Sequence, residues 1–217
     1  MKIALLIGLI LTELASSLIG FAYWKKIRNT YWKWFPVYLG IIAAIEIAGF
    51  ISAFVFTYYS FNKYLFLYFG IPFQFIFFFW LFRKYFTRRQ ESVWTFVGLV
   101  VYLVAWVLEK FLWGQGQRWF SSFSYTIGNI ILLVLIILFF IRFINSEEIL
   151  RYRNSMMFWV SLGLIVFYLG TFPFYALRNT LANNYAHIHL VYSYVSLALD
   201  YLMYLLFIVA FIWGKPR

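Results

Sequence analysis

The chain has 217 residues, of which 65% are hydrophobic, 26% aromatic and only 12% charged, with a mean hydropathy of +0.84 and a formal charge of +11. That makeup excludes an ordinary soluble domain and points to an integral membrane protein. Cysteine is absent, which excludes disulfides, thiolate catalysis and Cys-based metal centres, and His187 and His189 are too few for a His-rich zinc site.

Apolar stretches of roughly 20 residues, the length that crosses a bilayer as helix, fall at 3–23, 36–58, 64–82, 92–112, 124–143, 156–177 and 188–213. They predict an all-α, polytopic bundle of seven transmembrane helices in one domain, 1–217. The first stretch has a rival reading. Lys2, the apolar run and Ala15-Ser16-Ser17 follow the layout of a signal peptide. An acid in the middle of the run, Glu13, argues instead for a resident helix.

In the first predicted helix Glu13, Ser16 or Ser17, and Gly20 share a face, and in the second Ala43, Glu46, Gly49 and Ala53 do the same. Small residues on both faces favour close packing. The short connection makes the two helices antiparallel neighbours, so Glu13 is expected to lie near Glu46. The third helix carries Pro72, a predicted kink, Gln74 at similar depth, and a Phe75–Phe79 run that reads as lipid-facing or packing surface.

The fourth helix sets Thr95, Gly98, Tyr102, Ala105 and Glu109 on one stripe, and an outer loop over 109–124 follows with a flexible Gly114-Gln115-Gly116-Gln117 tip. The fifth offers Tyr125 and Asn129, and the sixth contains Pro173, a second predicted kink, before an Asn-rich outer loop over 178–187. In the seventh, His189, Tyr192, Ser193, Ser196, Asp200 and Tyr204 recur at three- and four-residue steps and form one polar stripe.

Orientation follows from Lys and Arg, which collect in short cytoplasmic loops. Thirteen of the eighteen (Lys25, Lys26, Arg28, Lys33, Arg83, Lys84, Arg88, Arg89, Arg142, Arg151, Arg153, Lys215 and Arg217) fall on one side, with only Glu91, Glu147 and Glu148 against them. This predicts an outside N-terminus and a cytoplasmic C-terminus. The aromatic residues divide the same way, with Trp24, Trp32, Trp34 and Trp213 at one set of helix ends and Tyr58, Trp113 and Tyr185 at the other. The positive charge suits the bilayer and its anionic lipid head groups, at about 1 kcal/mol per cation near the surface. Nucleic acid is not expected as a partner.

Glu13, Glu46 and Asp200 all lie mid-span with no Lys or Arg at matching depth. An ionised carboxylate there costs roughly 2.5–3.5 kcal/mol on insertion scales, so such residues usually face a bundle interior and mark a site. A plainer account has each acid hydrogen-bond a Ser, Tyr or backbone carbonyl and fix helix register. Three at one depth favour a ligand- or proton-binding site made of Glu13, Glu46, Gln74 and Asp200. Its outward-opening mouth is expected at Glu109, Asn129, His189, Tyr192, Ser193 and Ser196. No GxSxG elbow, HExxH or phosphate-cradling Gly loop accompanies them, and the seventh helix has no Lys for a retinal Schiff base. Catalytic residues, resident metal and cofactor are therefore not expected.

Glu13, the run Trp24-Lys25-Lys26-Ile27-Arg28-Asn29-Thr30 with Glu46-x-x-Gly49, and Phe158-Trp159-x-Ser161-x-Gly163 with Phe167-Tyr168-x-Gly170 resemble a family of small bacterial seven-span membrane proteins of unassigned function. The resemblance implies a multi-pass protein of the bacterial inner membrane and supplies no activity. It also implies a Glu in relatives where Gln74 stands and an Asn where Asp200 stands, as if an acid had been exchanged between helices.

The resulting expectation is a sensor or receptor with an intramembrane pocket for a small-molecule ligand, whose basic loops contact lipid, a cytoplasmic signalling partner or a second copy in a homo-oligomer. An ion- or proton-coupled transporter of small solutes is the alternative, favoured by midplane carboxylates and disfavoured by the lack of internal repeats. A structural subunit of a membrane complex is a further alternative.

Overall fold

The computed structural model describes residues 2–56, 58–86, 88–112 and 120–216. Among them run α1 (Lys2–Ala22), α2 (Trp24–Ile27), α3 (Trp34–Phe54), α4 (Tyr59–Leu65), α5 (Ile71–Tyr85), α6 (Arg89–Leu112), α7 (Ser122–Ile144), α8 (Met156–Asn184) and α9 (Ala186–Trp213). Seven segments are long and apolar enough to cross a membrane: Ile3–Ala22, Tyr31–Phe54, Phe61–Tyr85, Gln90–Leu112, Ser122–Ile144, Met156–Asn184 and Ala186–Trp213. This is the pattern of an all-helical, multi-pass membrane protein.

The boundaries depart from the sequence expectation at several helix ends, and three of these departures bear on the fold. The second span stops at Phe54 rather than 58, and wide turns close it: Phe56 N–H returns to Ile51 O at 3.2 Å and Tyr58 N–H to Ser52 O at 2.8 Å. The third starts earlier, because α4 continues through a π-helical segment, Phe66–Gly70, into α5. Pro72 follows that segment in the first turn of α5, where the widened ladder accommodates a residue without an N–H. The third departure corrects the Asn-rich loop. Helix α8 carries Pro173 internally and continues to Asn184, and α9 begins at Ala186, so most of 178–187 is helical. The Gly114–Gln117 tip lies outside the described residues.

The chain forms two compact units. The first comprises 1–48, 136–170 and 195–217, and the second 49–135 and 171–194.

In the first unit, α1, α3 and the later part of α9 pack through aromatic rings. Phe35 stands 5.1 Å from Phe207 and 5.4 Å from Phe211 by ring centroids, with Trp32 edge-on at 5.7 Å. All four are buried. Ser17 on α1 donates to Pro36 O at 2.9 Å, and Tyr201 on α9 donates to Leu5 O at 2.6 Å, running over Gly8. Small residues let these approaches happen. A Cβ on Gly20 would stand 2.7 Å from both the Phe211 ring and Pro36 Cβ. We expect Gly20→Ala to cost about 1–3 kcal/mol through overpacking; unfolding in detergent micelles measures it, and an unchanged midpoint would show that the rings yield freely.

At one end of this unit, Lys26 Nζ donates to Phe211 O at 2.8 Å and Ile212 O at 3.2 Å, capping the C-terminus of α9. Lys215 N–H donates to Asn154 O at 2.6 Å in the same region. Residues of the first connection, the fifth connection and the tail thus meet, as alternation of seven spans requires.

In the second unit Phe75 is the hub, 4.8 Å from Tyr102 and 5.4 Å from Tyr125, with Tyr175 4.7 Å from Tyr125. Gly128 makes room for the Tyr102 ring, which a Cβ would meet at 2.7 Å. Of the run read as lipid-facing or packing surface, Phe75, Phe77, Phe78 and Phe79 are buried and only Ile76 is exposed, so it is packing surface.

Candidate functional site

Glu13 on α1 is 2% exposed. Its carboxylate has Glu46 on α3 and Asp200 on α9 as electrostatic neighbours, and Tyr204, one turn beyond Asp200, approaches it as a hydrogen-bond donor. Tyr38 on α3 lies close enough to interact with both Glu13 and Tyr204, and Tyr204 also senses Asp200 and Glu46. Three helices of the first unit therefore place two further acids and two phenols within electrostatic reach of Glu13. Glu13 and Tyr204 are buried, while Glu46 and Asp200 are partly buried. The spacing explains the convergence: Asp200 and Tyr204 are four residues apart on one face of α9, and Glu13 shares its face of α1 with buried Ser16, Ser17 and Gly20.

Among the described residues the charged groups acting on Glu13 are Glu46 and Asp200, and the one acting on Asp200 is Glu46; none of these is a cation. One oxygen of Glu13, Oε2, is buried without a hydrogen-bond partner. An unmade bond at a buried carboxylate carries its full desolvation penalty, about 1–3 kcal/mol or more for a charged group. Among the described residues no set of three His, Asp or Glu is disposed to hold one metal ion, so the acids are spread more widely than a coordination sphere. An aromatic wall closes one side, with Tyr38 stacked on Phe35 at 6.2 Å and Tyr204 edge-on to Phe207 at 5.7 Å. The arrangement can take up a proton or a positive group, either of which offsets the mutual repulsion.

The remaining residues expected at the site divide between the units. Ser196 belongs to the first and is buried. Gln74, Glu109, Asn129, His189, Tyr192 and Ser193 belong to the second. There Asn129 is fully buried, His189 packs on the Phe174 ring at 5.4 Å, Tyr192 stacks on Phe174 at 5.8 Å, and Ser193 donates to His189 O at 2.7 Å within its own helix.

Glu109 has a structural task. Its carboxylate accepts from Phe123 N–H at 3.1 Å, from Ser124 N–H at 2.9 Å and from the Ser124 hydroxyl at 2.5 Å, and so caps the N-terminus of α7 from the end of α6. Lys110 beside it donates to Ser121 Oγ at 2.8 Å and lies 4.4 Å over the Tyr68 ring. From α8, Asn179 exchanges bonds with Phe120, accepting its N–H at 3.0 Å and donating to its carbonyl at 2.8 Å, while Arg178 lies over the Phe120, Tyr175 and Phe174 rings. Four side chains thus fasten the start of α7.

Sequence reasoning missed Tyr38 as a neighbour of the acids. It stands eight positions before Glu46, about a quarter turn off the Glu46 stripe, and an aromatic in so aromatic a chain gives no separate signal. Tyr204 was legible, because it continues the α9 stripe. No protein-family model, no curated protein and no solved structure matches the chain.

Proposed function

We propose that this protein is a receptor-like membrane sensor whose input is a proton or a cationic, hydrogen-bonding ligand taken at Glu13, Glu46 and Asp200. One observation carries the reading: the deeply buried Glu13 presents an unpartnered oxygen in the company of two further acids and, among the described residues, no cation acts on it. A structural carboxylate is expected to look like Glu109, with its oxygens satisfied. Binding would remove repulsion among groups on α1, α3 and α9 and so favour a different packing of those helices. The basic connections between spans are the surface through which such a change would reach lipid or a cytoplasmic partner.

Uptake should be measured on the full chain in liposomes and nanodiscs. Proton release and isothermal titration with a panel of amines would show saturable uptake in the wild type, lost in Glu46→Gln. Equal uptake by both would remove the acids from the site. The transporter reading is supported by the mid-span position of the acids. It requires in addition a flux that depends on the pH gradient, whereas uptake without flux favours the sensor.

The reading takes the N-terminus as outside and the C-terminus as cytoplasmic, on the bias of Lys and Arg. A reporter fused after Trp213 should be active only as a cytoplasmic protein, and activity on the opposite side would reverse the direction of sensing.

A further inference from the structure

At one end of the first unit two lysines are brought near each other by separate constraints. Lys26 is fixed by its bonds to Phe211 O and Ile212 O. Lys215 is fixed through its backbone, which donates to Asn154 O and pairs with Ser155. They lie within electrostatic reach, and the charged group acting on Lys26 is Lys215. Burial first, and this like charge second, hold the Lys26 ammonium below its usual range.

Around the pair stand aromatic groups of the type that occupy a membrane interface. Trp213 and Tyr23 are exposed, Trp213 sits edge-on to Trp159 at 5.6 Å, and Lys26 lies 5.3 Å from the Tyr23 ring. Trp159 Nε1 donates to Arg153 O at 3.0 Å, which places exposed Arg153 in the same neighbourhood.

We propose that Lys26 and Lys215 form a binding site for the phosphate of an anionic phospholipid. A phosphodiester carries the charge that two neighbouring ammoniums lack and has oxygens to accept from both. Lys26 keeps one of its three N–H donors after bonding the two carbonyls, and exposed Lys215 keeps all of its side-chain donors. The flanking indoles and phenol suit the glycerol and upper acyl region of the same molecule. This site is independent of the acid cluster, so either proposal can fail alone.

The test uses the full-length protein in nanodiscs of phosphatidylcholine doped with phosphatidylglycerol, with retained lipid counted by native mass spectrometry. Lys215→Gln should lower phosphatidylglycerol retention about fivefold, the worth of one cation at the surface, and Lys215→Glu should lower it further. Lys26→Gln should match Lys215→Gln, but because it also uncaps α9, the Lys215 variants decide. Arg88→Gln, an exposed cation of the second unit, is the control for general surface charge. An equal loss with Arg88→Gln, or none with Lys215→Glu, overturns the proposal. Saturable binding of inorganic phosphate in detergent without a preference for phosphatidylglycerol would overturn the lipid assignment.

Discussion

Glu109→Ala should be among the most damaging single substitutions in the second unit, lowering stability by about 3 kcal/mol. The change strips an acceptor from two backbone N–H groups in the first turn of α7 and from the Ser124 hydroxyl. N-cap loss alone costs about 0.5–2 kcal/mol, and leaving buried donors unsatisfied adds about 1–3 kcal/mol. Near a membrane the donors cannot readily turn to water. Glu109→Gln, which keeps one acceptor oxygen, should recover part of the loss. Chemical unfolding of the purified protein in micelles reads both. A Glu109→Ala protein as stable as the wild type would mean that α7 does not depend on this cap.

The opposite pattern is expected at the acid cluster. Asp200→Asn and Glu46→Gln should retain the fold and gain about 1 kcal/mol, since each removes a carboxylate whose charged neighbours are acids. The same variants should lose proton or cation uptake by about tenfold or more, equivalent to at least about 1.4 kcal/mol. Tyr204→Phe should weaken uptake less, because the ring and its packing on Phe207 remain while the donor to Glu13 is gone. Stability and function moving in opposite directions is the signature of a site maintained at a cost. Destabilised Asn and Gln variants would instead identify the acids as packing residues.

The parts of this molecule governed by short-range periodicity were readable from the chain. The α6 stripe Thr95, Gly98, Tyr102, Ala105 and Glu109 is buried along its length, as its three- and four-residue spacing predicts. Small residues on the expected faces of α1 and α3 are also buried, at Gly20, Ala43 and Ala53. What the chain hid are partnerships that only tertiary structure creates. Lys26 bonds carbonyls 185 and 186 positions away, and Tyr201 bonds one 196 positions away. Nothing local marks those pairs.

Glu109 shows the same limit from the other direction. Its place on an inward stripe was clear, yet its role as a cap depends on the chain turning back across an outer connection to present Ser124. Residues 178–184 read as a loop because Asn and Thr have weak helix propensity. Asn179 and Arg178 hold that turn helical through Phe120 and its neighbouring rings, so tertiary contact outweighed propensity.

Infrared difference spectroscopy of the full-length protein in lipid, recorded on a pH jump and on addition of an amine, tests the carboxylate site most directly. Protonated carboxyl groups absorb apart from carboxylates and amides, so the experiment observes these side chains themselves. The account predicts a carboxyl band that changes on the jump or on amine binding and that is lost or shifted in both Asp200→Asn and Glu46→Gln. A spectrum without carboxyl change in the wild type, or one identical in both variants, would contradict it.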